Sequence, residues 1–259
     1  MDNRAKASIM ALHGFTGTPV DTALLAEGSQ SWNWVAPALP GHGMSPDGDE
    51  PWALPDLFAY LNSLWAFIED SQPRVLLGYS MGGRLALHYA GAFPEKLVGL
   101  VLVGASPGLR DAQDRAARRQ YDEGLAQRVE KMGTSAFLKE WNELPLIATQ
   151  RTNIDPNYYN CMLRARRQHQ AQGLAASLRN HGTGALPSAW EQLSKLDLPV
   201  LLVTGEADPK FTQIANQMME FLPRVTHEIL PVVGHAAHLE AGQFFLKKLT
   251  KWMRHEVGI

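Results

Sequence analysis

A chain of 259 residues with 45% hydrophobic content can bury one substantial core, with or without an insertion. Its formal charge of −2 supplies no global field to recruit nucleic acid or a membrane. One cysteine, Cys161, can build neither an intramolecular disulfide nor a thiolate metal cluster. The first eight residues are mostly polar, and Ile9-Met10-Ala11-Leu12 is too short for a signal core or a span, so a soluble, cytoplasmic protein without membrane insertion is expected.

Short apolar runs then recur along the chain. Ser8 to Leu12, Trp34 to Ala36, Val75 to Leu77, Leu97 to Val103, Val200 to Val203 and Thr226 to Leu230 read as strands. Leu54 to Glu69, Met81 to Ala92, Phe211 to Phe221 and Gln243 to Arg254 read as helices. Such alternation predicts an α/β fold, a mostly parallel sheet with helices on both faces and right-handed crossovers. After Val103 it breaks, and it resumes only near Leu198. From about Asp111 to Trp190 the composition is helical, rich in Ala, Arg, Gln, Glu and Leu, which predicts a helical cap above the C-terminal edge of the sheet. The predicted division is a core of residues 1–107 and 191–259 and a cap insertion of residues 108–190. Arg110 to Arg167 carries a net +3 while the rest of the chain carries −5, so the cap is the part suited to facing an anion. For most of its arginines a solvated, mixed-charge helix surface is explanation enough.

Gly78-Tyr79-Ser80-Met81-Gly82 joins the strand at Arg74-Val75-Leu76-Leu77 to the helix from Met81, and Gly83 follows. This is the G-x-S-x-G nucleophile elbow, in which glycines leave room for a serine on a sharp turn. A serine hydroxyl is a weak nucleophile and a weaker base until an imidazole takes its proton, and the imidazole needs a carboxylate to orient it. Asp208 follows the strand Val200 to Val203, in Gly205-Glu206-Ala207-Asp208, and His235 follows the next strand, in Val233-Gly234-His235. Ser80, Asp208 and His235 thus occur in the chain order expected of a triad built on such a sheet. His238 is the rival base, three residues on, and Asp197 the rival acid, although it precedes its strand. His88, His227 and His255 fall mid-helix, within a strand and at the tail.

His13-Gly14-Phe15-Thr16-Gly17 follows the first strand and resembles the oxyanion loop of the α/β-hydrolase fold, whose hole would be formed by the backbone N–H groups of Phe15 and Met81. Pro40-Gly41-His42-Gly43-Met44-Ser45 is another loop typical of that class, with a tight turn as the simpler account of His42. The chain resembles α/β-hydrolases from the His13 loop to the His235 loop, a fold that hosts many chemistries. It departs from the pattern in two places. His13 comes so early that the two customary leading strands have little sequence to form from, which implies a trimmed sheet. Thr18-Pro19-Val20-Asp21-Thr22 also lacks the aromatic often found there.

Arg84 lies four residues after Ser80, one turn along the helix, where its guanidinium can return toward the serine. Two readings are open: a carboxylate clamp, or a structural ion pair with an acid of the cap. Arg115, Arg118 and Arg119 share one helix face, and Arg164, Arg166 and Arg167 form a second cluster. Guanidiniums converging on one cleft suit a small anionic substrate with several carboxylates.

The elbow with Gly83 and Arg84, the Pro107-Gly108-Leu109 segment with its arginine helix, Trp141, Gly205-Glu206-Ala207-Asp208-Pro209-Lys210-Phe211, and Gly234-His235-Ala236-Ala237-His238-Leu239-Glu240 together resemble the 2-succinyl-6-hydroxy-2,4-cyclohexadiene-1-carboxylate synthases of menaquinone biosynthesis. That resemblance covers nearly the whole chain. It implies Ser80, Asp208 and His235 as the triad, Arg84, Arg118 and Arg166 as carboxylate clamps, with Arg164 and Arg167 as alternatives to Arg166, and Tyr79 and Trp141 in the pocket lining. The implied reaction is a carbon–oxygen lyase step. Pyruvate is eliminated from 2-succinyl-5-enolpyruvyl-6-hydroxy-3-cyclohexene-1-carboxylate, the triad acts as base, and no metal or organic cofactor is required. Two alternatives stand beside it: a serine hydrolase, either a carboxylesterase or a C–C hydrolase, acting on a small anionic substrate, and a non-catalytic ligand receptor on the same fold.

Overall fold

Each apolar run becomes a strand of one sheet. The computed structural model describes residues 7–29, 31–43, 52–69 and 72–259. Met44 and Ser45, at the end of the Pro40 loop, lie outside the described residues. The elements are β1 (Ser8–Leu12), α1 (Val20–Gly28), β2 (Asn33–Val35), α2 (Leu54–Trp65), β3 (Arg74–Tyr79), α3 (Met81–Ala92), β4 (Gly99–Val103), α4 (Ala112–Met132), α5 (Thr134–Trp141), α6 (Pro145–Asn153), α7 (Pro156–Arg166), α8 (Ala171–His181), β5 (Val200–Gly205), α9 (Pro209–Met219), β6 (Val225–Leu230), α10 (Ala237–Glu240) and α11 (Gly242–Trp252).

The strand order is β2-β1-β3-β4-β5-β6, and every pairing is parallel. Among the described residues no strand precedes β1. From β1 the chain moves outward to β2 and then crosses back to place β3 on the other side, so the order reverses at β1. Ligands of open α/β sheets bind at the carboxyl ends of the strands beside such a switch point. The pairings Leu12 with Gly78 and Tyr79 with Val103 bring the ends of β1, β3 and β4 level there.

Alternate strand residues divide the core in two. Met10, Leu12, Leu76, Leu100, Leu102, Val200 and Leu202 pack with α2, α3 and α9. Ile9, Ala11, Val75, Leu77, Val101, Val103, Leu201 and Val203 pack with α1 and α11. Burial on both faces is why these strands read as unbroken apolar runs. Phe245 and Leu249 of α11 have no exposed surface, and each contributes on the order of 1.5–3 kcal/mol by its burial.

Helix boundaries shift for local reasons. Helix α2 ends at Trp65, short of Glu69, where three-residue turns take over, with Phe67 N–H donating to Leu64 O and Ile68 N–H to Trp65 O. Helix α9 starts early because Asp208 caps it and Pro209 takes the first position, where its missing N–H costs nothing. Beyond Trp252, α11 continues into a π-helical turn, Met253–Val257, that ends at Gly258 with φ 84°. Helix α1 was not foreseen. It buries Asp21 and Thr22 together with Leu25, so no apolar stripe marks it. Its anchor is tertiary: the Tyr158 hydroxyl of α7 accepts from Leu24 N–H.

Five helices, α4 to α8, lie between β4 and β5, and they do not pack as one unit. Helices α4, α5 and α8 share a small cluster that includes Ala126, Val129, Phe137, Leu174 and Leu178. The α6–α7 segment instead contributes Ile154, Tyr159 and Met162 to the core on the α1–α11 side. Helix α8 approaches the Pro40 loop closely. A Cβ on Gly173 would lie 2.7 Å from the Gly41 carbonyl oxygen, and Gly41 itself has φ 79°.

Candidate active site

Ser80 stands between β3 and α3 with φ 52° and ψ −109°, a strained conformation for any residue but glycine. Two backbone bonds hold it: its N–H donates to Val103 O at 2.9 Å, and its carbonyl accepts from Arg84 N–H at 3.1 Å. The flanking glycines are steric requirements. A Cβ on Gly78 would lie 2.5 Å from the Gly82 oxygen, and one on Gly82 would lie 2.3 Å from the Leu12 oxygen.

His235 Nδ1 donates to Asp208 Oδ2 at 2.7 Å, which leaves Nε2 to accept from the Ser80 hydroxyl at 3.0 Å. Both side chains of the imidazole–carboxylate pair are buried. Asp208 is fixed a second time, since Oδ1 accepts from Phe211 N–H at the start of α9. Gly104, with φ 51°, makes room for the imidazole: a Cβ there would lie 2.8 Å from His235 Cε1. Neither rival joins this chain of bonds. His238 is buried against Tyr79 at 4.7 Å between ring centroids and has no bond to Ser80, while Asp197 is exposed ahead of β5. His227 bonds the Thr204 hydroxyl, and His88 is buried within α3.

The loop after β1 is held by three imidazoles whose six ring nitrogens are all engaged. His13 accepts from Leu39 N–H and donates to Gly14 O. His42 accepts from Thr16 N–H and donates to Pro40 O. His169, from the α7–α8 connection, accepts from Gly43 N–H at 2.7 Å and donates to Thr16 O at 2.9 Å. Each ring is therefore neutral, and desolvation lowers all three pKa values, that of His13 to about 4. This scaffold presents Phe15 beside the serine. Met81 opens α3, so its N–H precedes the first intrahelical bond, at the positive end of the helix dipole.

Above Ser80 and His235 is a cavity with aromatic walls from Phe15, Tyr79, Trp141 and Phe211 and cationic groups from Arg84, Arg118 and Lys210. Trp141 meets Phe15 edge-on at 5.1 Å and stacks on Phe137. Arg84 is buried and forms no ion pair among the described residues; its guanidinium donates to His181 O at 3.3 Å. Desolvation, then the repulsion of Arg118, lowers its pKa to about 10 against the opposing attraction of Asp122. Arg118 is partly exposed and bonds Asp122 at 2.8 Å. Arg115 and Arg119 are instead spent on backbone carbonyls outside the cavity.

Arg166 does not join this lining. Its guanidinium is buried against Asp21 of α1, at 3.1 Å, and against Gln150 of α6, because a cation so deeply desolvated needs a carboxylate beside it. Arg164 and Arg167 are exposed on the surface, so none of the second arginine cluster reaches the cavity.

A profile of the alpha/beta hydrolase family matches residues 9–247. A Bacillus subtilis (strain 168) protein assigned to the 2-succinyl-6-hydroxy-2,4-cyclohexadiene-1-carboxylate synthases is 32% identical over 96% of this chain and 91% of its own. The synthase of that name from Klebsiella pneumoniae (strain 342) is 31% identical over 89% and 87%. Among solved structures, MenH from S. aureus superposes with a TM-score of 0.91 at 28% identity, covering 98% of this chain and 96% of that one. The chain belongs to this synthase family of α/β-hydrolases. Within that family context Lys210 and the joint role of three imidazoles had no mark of their own in the sequence. Lys210 was visible only as a neighbour of Asp208, yet it supplies the third cation of the lining. His13 and His42 sat in recognisable loops, but their partner His169 is far off in the chain and carries no local signal.

Proposed function

We propose that this synthase family member removes pyruvate from 2-succinyl-5-enolpyruvyl-6-hydroxy-3-cyclohexene-1-carboxylate, with Ser80, His235 and Asp208 acting as a base. The observation that carries this reading is Arg84, a buried guanidinium one turn from Ser80 that no carboxylate among the described residues contacts, although Asp122 of α4 attracts it from further off. A neutral ester has no use for it. A substrate with several carboxylates would supply contact anions to Arg84 and Lys210 and a further one to Arg118, which already pairs with Asp122. The Ser80 hydroxyl, relieved of its proton by His235 Nε2, takes a carbon-bound proton from the ring. The electron pair left behind forms a new carbon–carbon double bond, the ring shifts its existing one, and the carbon–oxygen bond to the enolpyruvyl group breaks. Enolpyruvate leaves and becomes pyruvate on protonation. The N–H groups of Phe15 and Met81 receive the charge that develops on oxygen, each contributing about 3 kcal/mol as such donors do elsewhere. In this reading residues 108–190 act as the cap that closes over the substrate.

Pyruvate release by the purified protein, with the enolpyruvyl intermediate generated in place, tests the assignment. Efficient turnover of p-nitrophenyl acetate without any pyruvate release would instead assign Ser80 to acyl transfer, and ligand binding without turnover would make the chain a receptor.

A further inference from the structure

We propose that Glu240 is a positioning residue through which helix α6 sets the aim of His235. The inference rests on the reading of His235 as the base, and it begins from a buried carboxylate that the triad does not use. Glu240 Oε2 accepts from Gly234 N–H at 2.8 Å and from Asn153 Nδ2 at 2.9 Å. Glu240 Oε1 accepts from Ala236 N–H at 3.2 Å and from the Thr149 hydroxyl at 3.0 Å. The two backbone donors flank His235 on either side, and the two side-chain donors belong to α6. One carboxylate thus ties both sides of the imidazole's peptide to the inserted helices.

A second observation explains why the loop needs such a brace. Val232, three residues before His235, has φ 68°, a conformation that a β-branched residue adopts only when its surroundings impose it. Its side chain is exposed, so packing does not impose it. Hydrogen bonds do: Val232 N–H donates to Glu206 Oε2 at 3.0 Å, Val232 O accepts from Asn153 Nδ2 at 3.3 Å, and Ala207 N–H donates to Val233 O at 2.9 Å. Asn153 therefore grips the strained residue and Glu240 together. The fit at this joint is tight as well, since a Cβ on Gly234 would lie 2.3 Å from Thr149 Oγ1. A displacement of α6 must move the Gly234–Ala236 peptides, and with them the 3.0 Å contact between His235 and Ser80.

Glu240→Gln is the discriminating variant because it keeps the shape and removes two of the four acceptor directions. Whichever way the amide turns, its NH2 group faces one of the loop N–H donors, at Gly234 or at Ala236. The expected result is a fall in kcat on the order of tenfold to a hundredfold, with KM within about twofold of the parent. The proton NMR resonance of the His235 Nδ1–H bonded to Asp208 is expected to shift or broaden in the substrate-free protein. Thr149→Val with Asn153→Ala leaves Glu240 and its bonds to Gly234 and Ala236 in place and severs the links from α6 to Glu240 together with the Asn153 bond to Val232 O; the same resonance and kcat are expected to respond more weakly. An unchanged kcat and resonance in Glu240→Gln overturns the proposal. If Glu240→Gln does not fold, the α6 double variant decides on the same two measurements. The resonance is read without substrate, so a parent protein that releases no pyruvate would sink the synthase reading while leaving this test intact.

Discussion

Arg84 and Ser80 are joined by one helical turn: the Arg84 N–H donates to the Ser80 carbonyl at 3.1 Å, and both side chains line the same cavity. The arginine is therefore carried by the element that strains the serine, and it enters the site with no carboxylate among the described residues in contact with it, only the more distant attraction of Asp122. Its Nε is buried with no acceptor, a poorly compensated state for a guanidinium.

Arg84→Met is expected to leave the fold intact and to keep stability within about 1 kcal/mol of the parent, because it removes a buried charge that Asp122 and His181 O only partly offset and keeps most of the volume. The proposed elimination is expected to lose on the order of a hundredfold in kcat/KM. Thermal melting and initial rates read the two effects. A loss of several kcal/mol of stability would return Arg84 to a structural role.

Arg166 behaves in the opposite way. Arg166→Met leaves Asp21 buried without its cation, and breaking a buried pair of this kind costs about 3–5 kcal/mol. Adding Asp21→Leu is expected to recover much of that loss, since an apolar pair needs no desolvation. Urea unfolding of the two single variants and the double variant measures the coupling. Unchanged stability in Arg166→Met, accompanied by a raised KM, would put the guanidinium back among the substrate contacts.

The contrast between these arginines marks how far the chain could be read unaided. The meeting of Ser80, Asp208 and His235 was legible because each follows a strand in a glycine-marked turn, and local spacing determines where such residues emerge on a parallel sheet. Arg84 was legible for the same reason, as a residue one turn into the helix. Arg166 was not, because its place depends on α7 packing against α1, and α1 shows no amphipathic stripe. His169 and Glu240 escaped likewise: the partners of His169, Gly43 and Thr16, and two of the four partners of Glu240, Thr149 and Asn153, lie far away in sequence and meet them only once the sheet and the inserted helices are assembled.

Ser80 also stores strain, and its two simplest replacements separate strain from chemistry. Ser80→Ala retains a Cβ at φ 52°, so it is expected to abolish turnover without a marked gain in stability. Ser80→Gly relieves the conformation and is expected to be more stable than Ser80→Ala by about 1 kcal/mol while equally inactive. Denaturant midpoints compare the two. Equal stabilities would mean that the elbow imposes little strain on the serine.

Acid should loosen the protein through its neutral histidines. Burial lowers the pKa values of His13, His88 and His181 to about 4 and that of His238 to about 3, and it lowers those of His42 and His169 as well. In the unfolded chain each ring takes up a proton near pH 6.5. Between there and about pH 4 the unfolded state binds more protons than the folded one, so stability falls as the pH drops and is insensitive to these groups above pH 7 or so. Each histidine contributes a slope of about 1.4 kcal/mol per pH unit inside that window. The first functional consequence lies at the loop after β1. A proton on His13 Nε2 or His42 Nε2 would point at the N–H of Leu39 or Thr16, replacing an attraction with a repulsion beneath Phe15. Urea midpoints recorded from pH 8 to pH 4 are expected to be flat at first and then to fall steeply. His88→Leu, which removes an imidazole outside the site, is expected to reduce the slope by about one proton. An unchanged slope in that variant would mean that His88 does not resist protonation in the folded protein.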